Sequence, residues 1–440
     1  MVGTDDKGGD DLLARLKRKD FTAAVIGLGY VGLPLAVEYA GAGIPVIGID
    51  VDGQKVRMIR SGKSYIGDIA PEAIRTAVEA GLMRATTDFS ALAEADTVNI
   101  CVPTPLRKTK DPDLSYIVAA AEQVAKYIHK NMLIVLESTT YPGTTDEVLV
   151  PMFEQKGLKV GRDIFLAFSP ERVDPGNAQY TTKNIPKVVG GVTPACSKVA
   201  AALYNGVLDN VHPVSRASVA EMVKLLENTF RSVNIGLVNE IALMCDRMGI
   251  DVWEVIDAAK TKPFGFMPFY PGPGIGGHCI PLDPFYLSWK AKQYGFESRF
   301  IELAGVINGQ MPHFVVDKVG DALNRFRKSV NGAKVLILGV SYKKDVGDVR
   351  ESPALDIMQL LAKKGAKLSY CDPYVPVLDE HGIRLQAEKF LAATLRRADC
   401  VVIVTDHAAF DYPMVAREAK VVVDTRNALK GRNSRKVIKL

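Results

Sequence analysis

Cysteine is sparse in this chain of 440 residues. The six (Cys101, Cys196, Cys245, Cys279, Cys371 and Cys400) lie far apart, with neither the CxxC spacing of a zinc site nor the density of a disulfide scaffold. A reducing cytoplasm is the expected compartment. An excess of one charge is lacking too: 55 Lys plus Arg against 50 Asp plus Glu leave +5, which for this length excludes a dedicated nucleic-acid binder and leaves only local basic pockets for small anions. Long hydrophobic runs are missing. The longest uncharged apolar stretch, 21–37, is cut by Gly27, Gly29, Gly32 and Pro34 and stops at Glu38, so no membrane span is expected. Residues 1–20 are polar and mixed in charge, and no export signal is expected there. What is present, 48% hydrophobic and 24% charged residues, is ordinary globular usage, and the length implies two or three compact units.

The N-terminal part alternates short β-rich apolar runs (23–26, 46–49, 97–102, 133–136) with longer helical patterns, the rhythm of a parallel sheet wrapped by helices. From about 218 to 248 apolar residues recur every three or four (Val219, Met222, Leu226, Phe230, Val233, Leu237, Ile241, Met244) with no proline, which predicts one long amphipathic helix. Ser218 with Glu221 has the spacing of a capping box, and Ser215 competes as the cap. A Pro/Gly-dense stretch at 263–284 is followed by a second helical stretch at about 285–326. Strand-like runs then return at 334–338, 367–370, 400–404 and 421–423. The expected fold class is α/β: two Rossmann-like doubly wound domains joined by a long central helix and a helical dimerisation region. The expected boundaries are an N-terminal extension at 1–20, a dinucleotide domain at 21–215, a central helical domain at 216–330 and a second α/β domain at 331–440.

Gly27, Gly29 and Gly32 stand in GxGxxG order between a predicted strand and a predicted helix. Gly27 permits the tight turn, Gly29 lets the backbone approach a pyrophosphate, and Gly32 lets the helix pack on the strand; Tyr30 and Val31 complete the turn. Asp50, 18 residues beyond Gly32, ends the next strand, where a carboxylate accepts from ribose hydroxyls and repels a 2′-phosphate. This points to NAD. Lys55 is either a charge near the adenosine end or a solvated surface lysine.

Residues 271–284, Pro-Gly-Pro-Gly-Ile-Gly-Gly-His-Cys-Ile-Pro-Leu-Asp-Pro, suit neither a helix nor a central strand. Glycines there bring bare N–H groups against a ligand and leave the Cys279 thiol open to it, although the residues alone weigh a nucleophile about evenly with a structural thiol. Lys224 and Asn228 are four apart on the long helix and share a face. Glu171, in Ser169-Pro-Glu-Arg after the strand-like run 164–168, sits where parallel-sheet proteins hold ligands, and is a candidate acid or base.

Taken together, these motifs resemble the nucleotide-sugar dehydrogenases of the UDP-glucose/GDP-mannose dehydrogenase family, over about residues 21–430. The segments that carry the resemblance are GLGYVGLP at the glycine turn, Glu137-Ser-Thr with Pro142-Gly, Ser169-Pro-Glu-Arg, Lys224 with Asn228, Gly276-Gly-His-Cys-Ile-Pro-Leu-Asp283, and 342–352, Tyr-Lys-Lys-Asp-Val-Gly-Asp-Val-Arg-Glu-Ser. The resemblance implies Cys279 as nucleophile with Asp283 as its partner, Lys224 and Asn228 near the reacting oxygen, and Glu171 as an acid-base residue. It implies Thr104, Thr139 and Arg350 near the nicotinamide cofactor and Lys343 on the nucleotide sugar. It also makes Pro268, Phe269, Tyr270, Pro271 and Gly272 the loop that closes on the pyrophosphate, with Gly276 and Arg172 in the substrate set and no metal.

The implied reaction is the four-electron oxidation of a sugar C6 alcohol to a carboxylate with two NAD, through a thiohemiacetal and a thioester on Cys279. Leu282 stands where UDP-glucose enzymes of this family usually carry Lys. The motifs around 169–177 and 261–274 look like the branch acting on UDP-N-acetylglucosamine, with UDP-N-acetylmannosamine next and UDP-glucose after it. Phe264, Phe266, Phe269 and Tyr270 are the aromatics expected near the acetamido and uracil groups, and Lys344 and Arg426 are possible additions beside Lys343. Two other classes are weighed: a single-step hydroxy-acid dehydrogenase, in which Cys279 is dispensable, and a non-catalytic nucleotide-sugar sensor, in which the nucleophile has no use. The partners expected are a UDP-sugar and a second copy of the chain, because the long helix has more apolar surface than one small domain covers.

Overall fold

The computed structural model describes residues 7–440 except 68, 107–110, 175–178, 278–279 and 433. The chain forms two compact units, 1–227 with 289–295 and 228–288 with 296–440, so the division falls inside the helix Ala217–Met248.

The first unit is built on eight strands: β1 (Ala23–Ile26), β2 (Val46–Ile49), β3 (Met83–Thr86), β4 (Thr97–Ile100), β5 (Leu133–Leu136), β6 (Phe165–Phe168), β7 (Lys187–Gly191) and β8 (Val211–Val214). Their order is β3-β2-β1-β4-β5-β6-β7-β8, parallel throughout except where β6 meets β7. The central strands read as unbroken apolar runs, Ala-Ala-Val-Ile and Leu-Ile-Val-Leu, because helices cover both faces of the sheet and every residue in them is buried. The β3-β2-β1-β4-β5-β6 part is the doubly wound order, and its direction of progression reverses between β1 and β4. Ahead of β1 the helix Lys7–Arg18 buries Leu12 and Leu16 and packs on the helix Pro194–Asn205. Arg15 closes on both carboxylate oxygens of Asp96 at 2.7 and 2.8 Å, a forked pairing that ties this helix to the start of β4.

The second unit carries β9 (Lys334–Leu338), β10 (Lys367–Cys371), a small antiparallel hairpin of β11 (Val377–Glu380) and β12 (Ile383–Gln386), then β13 (Cys400–Ile403), β14 (Val422–Asp424) and β15 (Val437–Lys439). Its main sheet is wholly parallel in the order β10-β9-β13-β14-β15, with the reversal between β9 and β13. The second helical stretch of the sequence is two helices, Asp283–Gln293 and Arg299–Arg325. They are separated at Gly295, whose φ of +72° no helix admits. Both parallel sheets of the expected fold class are present. Among the described residues no helix is long and apolar enough to cross a membrane, and no group of three or more His, Cys, Asp or Glu is placed to hold a metal ion.

Candidate functional site

In the first unit the turn after β1 lies at the β1/β4 reversal, where the loops diverge and leave a crevice. Gly27 has φ +90°, and a Cβ there would lie 2.5 Å from the Cys101 carbonyl oxygen; a Cβ on Gly32 would lie 1.9 Å from the Gly27 oxygen. Gly29, by contrast, has open space around the missing side chain, which is what a pyrophosphate needs. The helix Gly32–Gly41 that starts here has no side-chain cap; the Leu33 N–H donates to the Gly29 carbonyl at 3.1 Å and Pro34 has no N–H, so it is the positive end of the helix, not a row of free donors, that suits an anion. Asp50 is buried at the end of β2. Its Oδ2 accepts from the Leu28 N–H at 2.8 Å and from Lys55 Nζ at 3.1 Å, and Oδ1 accepts from the Asp52 N–H at 2.9 Å. A carboxylate has about four acceptor positions, so Oδ1 retains one for a ribose hydroxyl. Lys55 is thus held on the acid. The Tyr65 hydroxyl donates to the Leu28 carbonyl at 2.5 Å and braces the turn, a contact with no local sequence signal. Thr104 is buried and Thr139 half-buried, in the loops that follow β4 and β5 on the same edge of the sheet.

Further along that edge Glu137, Glu171 and Lys187 form a buried cluster. Lys187 Nζ reaches Glu137 Oε2 at 2.6 Å and Glu171 Oε2 at 3.3 Å. Glu171 Oε1 accepts from its own following N–H groups, those of Arg172 and Val173, at 2.8 Å each. Burial pushes the Glu171 carboxyl up, but Lys187, these N–H groups and Lys224 outweigh it and hold it below the usual carboxylate range. The Glu171 carboxyl is thereby held ionised. The Arg172 guanidinium is committed: it forks onto Glu227 (2.6 and 3.3 Å) and donates to the Pro186 carbonyl at 2.7 Å.

The expected capping box does not form. The helix starts at Ala217, and Glu221 is fully buried and reaches instead to the loop after β5, accepting from the N–H of Gly143 (2.5 Å) and from the N–H and hydroxyl of Thr145 (2.9 and 2.6 Å). Three donors from another part of the chain outbid one local N–H. Burial raises the Glu221 carboxyl to about 7. Lys224, one turn further, is half-buried and makes no ion pair or hydrogen bond among the described residues.

In the second unit Asn228 Nδ2 donates to Asp283 Oδ2 at 2.5 Å, and both side chains are buried. The Pro268–Gly272 loop is pinned from three sides: Phe269 packs edge-on against Phe230 (5.7 Å), Tyr270 stacks on Trp253 (6.1 Å), and the Gly272 N–H donates to Asn239 Oδ1 at 3.0 Å. Asn239 donates in turn to Asn308 at 2.9 Å. Phe264 and Phe266 are exposed. Pro271 is buried, and Arg426 Nη1 comes within 2.7 Å of where a Cβ on Gly272 would lie. The Gly276 backbone presses on Tyr342 and Glu351, and the Gly277 N–H donates to the Arg350 carbonyl at 3.1 Å. Arg350, alone of the cofactor set, belongs to this unit, where its guanidinium closes on Asp348 at 2.6 Å. Lys343 is half-buried in the loop after β9, and its carbonyl accepts from the Ser341 hydroxyl at 3.0 Å. His278 and Cys279 lie outside the described residues. The other five cysteines are free and buried; burial pushes the thiols of Cys101 well up and those of Cys371 and Cys400 to about 12.

A reversing parallel sheet with an open glycine turn and an acid at the end of the neighbouring strand defines a dinucleotide-dependent enzyme, and the residues present fit NAD. Family models for the NAD-binding, central and UDP-binding domains of the UDP-glucose/GDP-mannose dehydrogenase family match residues 21–208, 218–310 and 336–431. The chain is 38% identical to a UDP-N-acetyl-D-glucosamine 6-dehydrogenase of Pseudomonas aeruginosa, over 83% of this chain and 86% of that one. It is 37% identical to an NDP-N-acetyl-D-galactosaminuronic acid dehydrogenase of Ralstonia nicotianae, over 92% and 95%. The solved structure of a UDP-D-ManNAc dehydrogenase from Pyrococcus horikoshii matches with a TM-score of 0.87 at 33% identity, over 95% of this chain and 98% of that one. The chain belongs to the UDP-glucose/GDP-mannose dehydrogenase family and is an NAD-dependent oxidoreductase of nucleotide sugars.

Proposed function

We propose that the chain oxidises the C6 alcohol of a UDP-N-acetylhexosamine to the carboxylate, with UDP-N-acetylglucosamine as the substrate and a precursor of surface polysaccharide as the product. The observation that carries the reading is the buried Asn228–Asp283 pair, in which Asp283 opens the helix Asp283–Gln293. NAD, when bound at the glycine turn, supplies the hydride acceptor for each of the two oxidations. The chain's own groups do the rest. A base takes the hydroxyl proton, and the Cys279 thiolate adds to the aldehyde carbon, so the aldehyde does not escape. The resulting thiohemiacetal is again an oxidisable alcohol, and its oxidation gives a thioester. Water, activated by Glu171 or Asp283, hydrolyses it to the carboxylate and returns the thiol. Lys224 and Asn228 are fixed donors for the oxygen that carries negative charge at each stage, and the lysine also favours the thiolate.

Lys343 and Arg426, at the carboxyl edge of the second sheet, are the cations for the UDP phosphates. The Pro268–Gly272 loop lies against Arg426 through Gly272 and serves the same ligand. The likeness to the Pyrococcus horikoshii structure favours UDP-N-acetylmannosamine as the second reading. A stoichiometric assay decides: with NAD and each UDP-sugar in turn, two NADH per sugar are expected, and a ratio of one removes the thioester route. Cys279→Ser is expected to stop at or before the first oxidation.

The protein acts as a homodimer in this reading. Val219, Met222, Leu226, Phe230, Leu237 and Met244 run down one side of the long helix at 38–57% exposure, and Phe300, Leu303 and Val306 on the helix Arg299–Arg325 are exposed at helical spacing too. An apolar stripe of this length suits a second copy of the same helix. Light scattering at micromolar concentration is expected to give a dimer; a monomer overturns this. Five free thiols suit a reducing cytoplasm.

A further inference from the structure

We propose that Lys187 is a positioning residue for the reaction: its buried ammonium, shared between two carboxylates from neighbouring strand ends, fixes Glu171 as an oriented, ionised base. The inference rests on the reading in which Glu171 serves as the acid-base residue.

Glu137 follows β5, Glu171 lies three residues past β6, and Lys187 opens β7, which pairs antiparallel to β6. That reversal of direction in an otherwise parallel sheet is what brings the first residue of β7 to the carboxyl edge, where the last residues of β5 and β6 emerge. Side-chain exposure is 2% for Lys187, 0% for Glu137 and 12% for Glu171, so the ammonium sits behind Glu171, away from water. Glu137 has enough partners without sharing the lysine further: Oε1 accepts from Asn99 Nδ2 at 2.8 Å and the Tyr204 hydroxyl at 2.6 Å, and the Asn99 carbonyl accepts from the Tyr39 hydroxyl at 3.0 Å. Lys187 also lies 5.5 Å from the centre of the Tyr204 ring. The cluster is thus a wall of fully engaged polar groups with one outlet, Glu171.

The groups that face Glu171 and Lys187 are Glu137 just past β5, Cys101 just past β4, Tyr204 from the helix Pro194–Asn205 and Lys224 from the long helix. Two carboxylates and one lysine leave one negative charge, which Lys224 offsets. Burial pushes the Lys187 ammonium towards neutrality, but Glu137 and Glu171 more than reverse it, and it stays charged. Removing that charge leaves two buried carboxylates without their shared cation, and Glu171 then keeps its proton to higher pH.

The test compares the wild type, Lys187→Met, Glu171→Gln and the double variant by thermal unfolding near pH 5 and near pH 8, and the first two by their pH–rate profiles with NAD and a UDP-sugar. The Lys187→Met loss in unfolding midpoint is expected to be about twice as large near pH 8, because carboxylates whose pKa is raised in the folded state destabilise it once ionised. Glu171→Gln is expected to remove much of that pH dependence. The acid limb of the Lys187→Met rate profile is expected to move up by about one pH unit. Equal midpoint losses at both pH values overturn the proposal, as does a pH dependence that Glu171→Gln leaves intact, which assigns the lysine to Glu137 alone. If Lys187→Met does not fold, Glu171→Gln decides by itself. A carboxylate held below its unfolded pKa gives stability that is lost as pH falls, so this variant is expected to flatten the acid-side loss of stability, and an unchanged slope overturns the proposal. The unfolding arms need no substrate, so a wild type that oxidises no UDP-sugar sinks the functional reading while they still report on the lysine.

Discussion

In both α/β units the first strand of the sheet runs into a glycine at positive φ whose missing side chain admits a neighbouring carbonyl: Gly27 at +90° against Cys101, Gly339 at +79° against Thr405. In both, an aspartate ends the next strand and accepts from the N–H just after that glycine, Asp50 from Leu28 at 2.8 Å and Asp372 from Val340 at 2.8 Å. The difference lies in what else reaches the acid. Asp50 has a mobile-stemmed lysine on it and an acceptor position to spare. Asp372 also takes the N–H groups of Ser341, Tyr374 and Val375 and, at 3.0 Å, His407 Nε2. His407 is wholly buried, and its Nδ1 accepts from the Asp345 N–H at 2.9 Å, which fixes the neutral tautomer with the proton on Nε2. Burial pushes Asp372 up, yet His407 and the N–H groups hold it low. One chain path therefore gives a carboxylate with an acceptor position to spare in the first unit and a sealed strut in the second, and the strut sets the 341–345 loop that carries Lys343.

The largest expected effect is on the strut. Asp372→Ala strands His407 and four N–H groups and is expected to cost about 3–5 kcal/mol of the second unit's stability, read by denaturant unfolding, with the KM for NAD unchanged. Asp50→Ala is expected to do the reverse, raising the KM for NAD about tenfold or more with a smaller loss of stability; similar effects of both on NAD would erase the distinction. Gly27→Ala and Gly339→Ala both force a Cβ onto a carbonyl at positive φ and are each expected to cost about 2 kcal/mol, but only the former should weaken NAD binding in a fluorescence titration. Glu221 sharpens the first unit's side. Its folded-state pKa of about 7 exceeds the ordinary 4.5, so the native state holds the extra proton and stability falls as pH rises from about 4.5 to about 7. Unfolding free energies from urea titrations near pH 5 and pH 7.5 should differ by about 2 kcal/mol, and Glu221→Gln should abolish that slope. The smallest effect is expected from His407→Asn, a few-fold rise in the KM for the UDP-sugar with the KM for NAD constant; equal changes in both would mean that the strut does not serve the Lys343 loop alone.

Much of this comparison was legible in the residues. Strands β1, β2, β5 and β9 fall where apolar β-rich runs predict them, because strands buried on both faces leave an uninterrupted signal. The glycine turn and Asp50 were legible for the same local reason: their spacing along the chain is their spacing in space. Strand β3, Met-Arg-Ala-Thr, has no such run and went unread, as did β7, whose opening lysine looks like a solvated residue. The capping box was misread because a local spacing rule knows nothing of donors 76 residues away in sequence.

The order of residues by itself settled the alternation of strands and helices, the long amphipathic helix, the glycine turn and the family, since each rests on patterns within a few dozen residues. Only the tertiary structure decided that Lys187 stands between Glu137 and Glu171, that Glu221 holds the loop after β5, and that His407 fills the place beside Asp372. Those are contacts between distant segments, set by strand order and direction, and a buried charge is tolerated only where that arrangement delivers its partner.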